Sequence, residues 1–246
     1  MRTKLLALIA ATIPLPALAA GGGAHLEHAN NDVTNTASLQ RGAANFVNYC
    51  LGCHSARYVR YNRLAADIGL TDEQLVDNLM FTGERPHDTM RSAMNADDAK
   101  RWFGVQPPDL TLIARSRGTD YVYTFLKSFY LDPAKATGVN NLALPGTAMP
   151  HVLWTLQGYQ EAVWEGEMDA QGVAQKHFKE FALASPGSMT TEEFDEFVRD
   201  TVNFLEYIAE PAQIQRRSLG FPVIAFLIVF TLIAWALKKE FWKDVK

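Results

Sequence analysis

Residues 48–61 read NYCLGCHSARYVRY, and they hold both cysteines of the 246-residue chain, Cys50 and Cys53, with His54 directly after the second. Three chemistries compete for such a pattern. A disulfide between the two cysteines leaves His54 without a purpose. A structural zinc site needs four ligands. No second C-x-x-C or H-x-x-x-H follows, so zinc would depend on the scattered His87, His151 or His177. The third reading is covalent haem, because C-x-x-C-H is the attachment motif of c-type haem. Two thiols add to the two vinyl groups on one edge of the porphyrin, and the next residue is then forced beneath the ring, where an imidazole reaches the iron. This reading uses all three residues and consumes both thiols. Cys50 and Cys53 are then the covalent anchors of one haem c and His54 its proximal ligand.

The two ends of the chain set the compartment. Arg2 and Lys4 precede an apolar run from Leu5 to Ala19 that closes on the small residues LPALAA. That is the pattern of a secretory signal over residues 1–20. The alternative is a retained anchor, but the run is short and interrupted by Pro14 and Pro16. At the other end, Leu219 to Leu237 is a run of 19 residues without a charge. As a helix it would be about 28 Å long, close to the roughly 30 Å of a bilayer core. Arg216 and Arg217 precede it, and Lys238, Lys239, Lys243 and Lys246 follow it. The heavier basic cluster favours the cytoplasmic side, which puts residues 238–246 inside the cell and the N-terminal part outside. Between the two runs, residues 21–215 carry 15 Lys and Arg against 25 Asp and Glu, a net charge of −10, while the whole chain is at −4. An exported domain this acidic argues against nucleic acid. It suits a basic protein partner, although acidity also serves solubility alone.

Coarse patterning predicts a mainly α chain with long loops. Residues 21–37 read as an extended arm. Helices are expected from Ser38 to Tyr49, from Thr71 with a Thr71/Gln74 capping box, through GTDYVYTFLKSFYLDP up to Pro133, and over Thr190–Glu210, where Pro211 stops the helix and a short basic link leads to the membrane span. Gln160–Phe181 alternates imperfectly about DAQG and predicts a hairpin or a small excursion. TGVNNLALPGTAMPH (137–151) is a loop of turn formers. Long loops with no strong sheet need a bulky apolar group to pack against, and a porphyrin is one.

The ligand opposite His54 decides between exchange chemistry at the iron and plain electron transfer. Met149 is the favoured candidate, bracketed by Pro145 and Pro150 with Gly146 allowing a tight turn; His151 is its rival. Met80 lies at helical spacing with Leu75, Val76 and Leu79 and fits core packing. Met90 and Met94 lie in a polar stretch. Arg115 and Arg117, helped by Tyr121, suit the haem propionates, or else are surface arginines at a helix entry. Pro107-Pro108 is stiff and donor-free, fit either to lie flat beside a porphyrin or to make a plain turn.

Taken together, LQRGAANFVNYCLGCHSARYVRYNRL (39–64), PPDLTLIARSRGTDYVYTFL (107–126), LPGTAMP (144–150) and FLEYIAEP (204–211), followed by QRRSLGF (215–221) and a terminal span, resemble the cytochrome c1 family, the haem subunits of quinol–cytochrome c reductase. The resemblance implies a c-type cytochrome domain with one C-terminal transmembrane helix, a single covalent haem c, Cys50 and Cys53 as its anchors, and His54 and Met149 as iron ligands. It also implies Pro108, Arg117 and Tyr121 as haem contacts. It implies cytochrome b and Rieske iron–sulfur subunits as partners in a dimeric complex. A soluble or membrane-bound cytochrome c would be the acceptor, and the chain an electron carrier that does not oxidise quinol itself. The secretory signal points to a bacterial inner membrane with the haem domain in the periplasm. The Pro145–Met149 loop is shorter than in many mitochondrial members, and Gln160–Pro186 matches poorly, so no role attaches to it. Two other functions fit the motif: an anchored monohaem cytochrome of another respiratory complex, and a haem sensor with an exchangeable sixth position.

Overall fold

The computed structural model describes residues 25–168 and 174–244; the expected signal over residues 1–20 and the DAQG stretch at 169–172 lie outside them. The first helix, α1 (Thr36–Tyr49), starts two residues before the expected Ser38, because the Asn35 side chain caps it by accepting from the Ser38 N–H at 3.1 Å. Its buried stripe is Ser38, Leu39, Gly42, Ala43, Phe46 and Val47. A strand, β1 (Ala56–Arg60), and two short helices, α2 (Tyr61–Ile68) and α3 (Asp72–Asn78), follow. The Thr71/Gln74 capping box opens α3. Strand β2 (Thr89–Met90) returns antiparallel to β1, and α4 (Ala96–Phe103), α5 (Ile113–Arg117) and α6 (Thr119–Lys127) complete the first half.

The helix expected to run to Pro133 ends at Lys127. Phe129–Leu131 instead forms β3, antiparallel to β4 (Val139–Asn141) with Phe129 opposite Asn141. An aromatic run that meets a pairing strand gains more from cross-strand contacts than from one further helical turn. After α7 (Trp154–Gln157), the expected hairpin is present and long: β5 (Gly158–Met168) against β6 (Ala174–Pro186), with register slips at Tyr159/Gln160 and Val163/Trp164.

Helix α8 (Thr191–Ala209) opens on a capping box: Glu193 N–H donates to the Thr190 hydroxyl at 3.3 Å, and Thr190 N–H donates to the Glu193 carboxylate at 2.8 Å. It crosses α1 at Gly42. A Cβ there would sit 2.0 Å from the Asp200 carbonyl oxygen, so only glycine permits the approach. Around this point Phe46 and Phe204 meet at 5.5 Å between centroids. Asp200, almost wholly buried, accepts from Ser38 Oγ at 2.6 Å and from Arg41 Nε at 2.5 Å.

The last helix, α9 (Gln213–Phe241), absorbs the basic link expected to precede the span. Nothing in Gln213–Ser218 breaks a helix, and Pro211 interrupts the chain only just before it begins. Its 29 residues reach about 43 Å, longer than a bilayer core of about 30 Å. Arg216, Arg217, Lys238 and Lys239 therefore fall toward its ends. It is the one helix among the described residues long and apolar enough to cross a membrane, and its apolar side chains are exposed.

Replacing Gly42 by alanine should cost about 3 kcal/mol, since the obstructing atom is backbone and cannot swing aside. Denaturant unfolding of the solubilised protein checks this; an unchanged midpoint would mean that the helices can separate at no cost.

Candidate functional site

The last turn of α1 delivers Cys50 and then tightens. Cys53 N–H and His54 N–H both donate to the Cys50 carbonyl, at 3.1 and 2.8 Å. Leu51 is pinned in the core. Cys50, Cys53 and His54 consequently share one wall of a cleft of about 530 Å³, well inside the range of cofactor sites. Cys50 and Cys53 form no disulfide with each other. Burial, and then the neighbouring Cys53, push the Cys50 thiol up to about 12.

The cleft is lined mainly by apolar side chains from several elements: Tyr49 of α1, Leu110 and Ile113, Val122, Phe125 and Leu126 of α6, Val152 and Leu153, and Phe197 and Leu205 of α8. Pro107, Pro108, Arg117, Tyr121 and the whole segment 144–150, including Met149, also face it. Seven of the eight residues expected at the site from sequence therefore meet there. Arg115 does not. It lies outside the lining and pairs with Glu210 at 3.0 Å. Successive positions of a helix point in different directions, so Arg115 and Arg117 face different partners. The Arg117 guanidinium lies over the Tyr121 ring, 5.6 Å from its centroid.

His54 is oriented by a contact that patterning does not reveal. Its Nδ1–H donates to the Pro108 carbonyl at 2.7 Å. A carbonyl only accepts, so Nδ1 carries the proton and Nε2 keeps its lone pair free. Burial lowers the His54 pKa against the opposing effects of this bond and of Asp109, which keeps the ring neutral. Asp109 lies next to Pro108 and is itself held ionised: burial opposes this, but Thr111 and Arg57 donors outweigh it and keep the carboxyl below its usual range.

Two asparagines that the sequence offered only as turn formers hold the Met149 segment. Asn141, wholly buried, accepts from Ser128 Oγ (3.2 Å), Ala143 N–H (2.9 Å) and Leu144 N–H (3.1 Å), and donates to the Phe125 carbonyl at 2.8 Å. Asn140 accepts from Gly146 N–H at 2.8 Å. Gly146 has φ +78°, which suits glycine.

The other methionines are placed differently. Met90 is buried in β2, Met80 and Met189 pack on the core, and Met94 borders a separate recess beside Cys53. The side chain of Met168 lies outside the description. His151 is also absent from the cleft lining. Its ring is stacked on Phe129 at 5.1 Å with neither nitrogen hydrogen-bonded, and Gln157 and the Gly158 backbone lie near without reaching bonding geometry. Burial pushes the imidazole down to about 4.

Asn141→Ala should cost about 2–4 kcal/mol, because it strands several buried groups at once. It should also make residues 142–150 the first site cut by protease. Denaturant unfolding and limited proteolysis read both effects.

The sequence model of the Cytochrome C1 family matches residues 28–245. A cytochrome c1 of Allochromatium vinosum is 50% identical over 245 residues, covering all of both chains. A Nitrosomonas europaea protein described as an ammonia monooxygenase gamma subunit is 41% identical over 242 residues, 98% of each chain. A cytochrome c1 of Rhodospirillum rubrum is 28% identical, covering 85% of this chain and 82% of the relative. The match spans most of the chain and includes the cysteine pair, the cleft and the terminal helix, so the chain belongs to the cytochrome c1 family.

Proposed function

We propose that Cys50 and Cys53 bond one haem c, that His54 and Met149 ligate its iron, and that Pro108, Arg117 and Tyr121 seat the ring and a propionate. The chain is a membrane-anchored electron carrier of a bc1-type complex, single-pass, with its large domain in the periplasm and no catalysis of its own. Family membership implies haem c and the usual partners of such a complex. In the finer reading an electron arrives from a Rieske iron–sulfur subunit, cytochrome b packs beside α9, and a soluble or membrane-bound cytochrome c accepts the electron within a dimeric assembly. The domain limits belong to the same proposal: a signal over 1–20, an exported domain over 21–215, a span over 219–237 and a cytoplasmic tail over 238–246.

The observation that carries the ligand assignment is the shared cleft. Met149 is the methionine that lines it among the described side chains, together with Cys50, Cys53 and His54. When bound, the haem supplies a one-electron couple. The protein's own groups do the rest. Pro108 holds His54 in the tautomer whose Nε2 is free. The asparagine-pinned segment presents a thioether, a ligand that needs no deprotonation at any pH. The apolar walls exclude water, and Arg117, with no carboxylate partner among the described residues, is available to a propionate. With His54 and Met149 both holding the iron, no position would remain for a substrate, and the bound haem would supply electron relay. The net charge of −10 on residues 21–215 favours a basic acceptor and a weak, salt-sensitive encounter.

Cys50→Ser with Cys53→Ser should leave no covalent haem on a denaturing gel. Met149→Leu should keep the haem but lose the methionine–iron charge-transfer band, lower the reduction potential and open the reduced protein to carbon monoxide. A Met149→Leu protein that behaves as the parent in all three would overturn the ligand assignment.

A further inference from the structure

Beneath His54 lies a charge pair that the cleft does not include. Asp109 Oδ2 accepts from the Arg57 N–H at 3.0 Å and from Arg57 Nε at 3.1 Å. Its Oδ1 accepts from the Thr111 N–H at 3.0 Å and from the Thr111 hydroxyl at 2.6 Å. Leu110 N–H donates to the Ser55 carbonyl at 2.8 Å. These bonds tie residues 108–111 to the strand that leaves the C-x-x-C-H motif, so the carbonyl that orients His54 is fixed by the next residue's carboxylate. Asp109 is only 15% exposed, whereas Arg57 is 51% exposed. Asp109, Arg57 and Cys53 also border a polar recess of about 30 Å³. It has room for a water molecule or so; the mostly buried Asp109 carboxylate is poorly screened there, while the half-exposed Arg57 guanidinium is screened more strongly.

We propose that Arg57 and Asp109 together set the reduction potential from the His54 side. Asp109 positions the Pro108 carbonyl, and its negative charge favours the oxidised iron; Arg57 offsets part of that charge. The inference rests on His54 being the iron ligand. Both residues are positioning residues, because neither lines the cleft. The physical sign is fixed by charge. Reduction removes one positive unit from the iron centre, so a nearby anion opposes reduction and a nearby cation favours it.

Redox titration of the purified complex at constant pH and ionic strength tests this. Asp109→Asn should raise the reduced-to-oxidised ratio at fixed ambient potential by about tenfold, equivalent to about 59 mV for one electron. Arg57→Gln should move the ratio the opposite way by about threefold, and Asp109→Glu, which keeps the charge, should lie nearer the parent than Asp109→Asn. A latch that acts only by mechanical support predicts shifts of one sign for Asp109→Asn and Arg57→Gln, because both loosen Pro108. Shifts of one sign, or no shift in Arg57→Gln, overturn the proposal. Should Asp109→Asn fail to retain haem, Arg57→Lys decides: it keeps the charge and should stay near the parent, whereas a shift as large as that of Arg57→Gln would overturn the proposal. A failure of the underlying haem assignment would look different: the unmutated protein would lack covalent haem and the spectrum of histidine–methionine ligation.

Discussion

The approach of α1 to α8 at Gly42 governs the rest of the domain. No side chain separates the two helices there, and a methyl group would overlap the Asp200 carbonyl. Phe46 against Phe204, and Ser38 and Arg41 on Asp200, surround the contact with apolar and charge-assisted interactions. The consequence is positional. The end of α1 carries Cys50, and α8 contributes Phe197 and Leu205 to the lining of the same cleft, with Phe197 packed against Tyr49 beside Cys50. A shift of either helix would move the cysteine pair relative to those side chains.

The cleft has two kinds of support. On the His54 side the hold is ionic and backbone-directed: a carbonyl orients the imidazole, and a carboxylate with an arginine fixes that carbonyl. On the Met149 side it is made of neutral amides, with Asn140 and Asn141 closing the turns of a segment that has no regular structure. The difference matters for electron transfer. In the proposed haem site, charges on the His54 side would shift the potential, whereas neutral amides would hold the Met149 thioether with little electrostatic consequence. The same domain is tied to its anchor by Glu210, which is shared between Arg115 of α5 and Arg216 of α9. The arginine expected at a propionate therefore links the domain to the membrane helix.

Much was legible from local pattern. The C-x-x-C-H spacing, the apolar terminal run, both capping boxes and the long α8 depend on residues within a few positions of one another, and local chemistry dictates them. The helix expected to reach Pro133 shows where that logic stops. Phe129–Leu131 pairs with Val139–Asn141, a choice made across a turn rather than along a helix. The basic link before the span became part of α9 because no local signal broke it.

The sequence by itself determined which residues were able to meet a haem and where the chain was able to cross a bilayer, since covalent spacing and hydrophobic length are properties of the chain alone. The tertiary structure alone decided that Met149 rather than His151 faces the cleft, and that Asp109 and the asparagine pair hold the two ends of the site. It likewise decided that Arg115 serves Glu210. The His54–Pro108, Arg57–Asp109 and Arg115–Glu210 contacts join segments tens of residues apart, and the nearer bonds of the asparagine pair follow no repeating pattern, so no periodicity or spacing within a segment encodes which group a side chain will find.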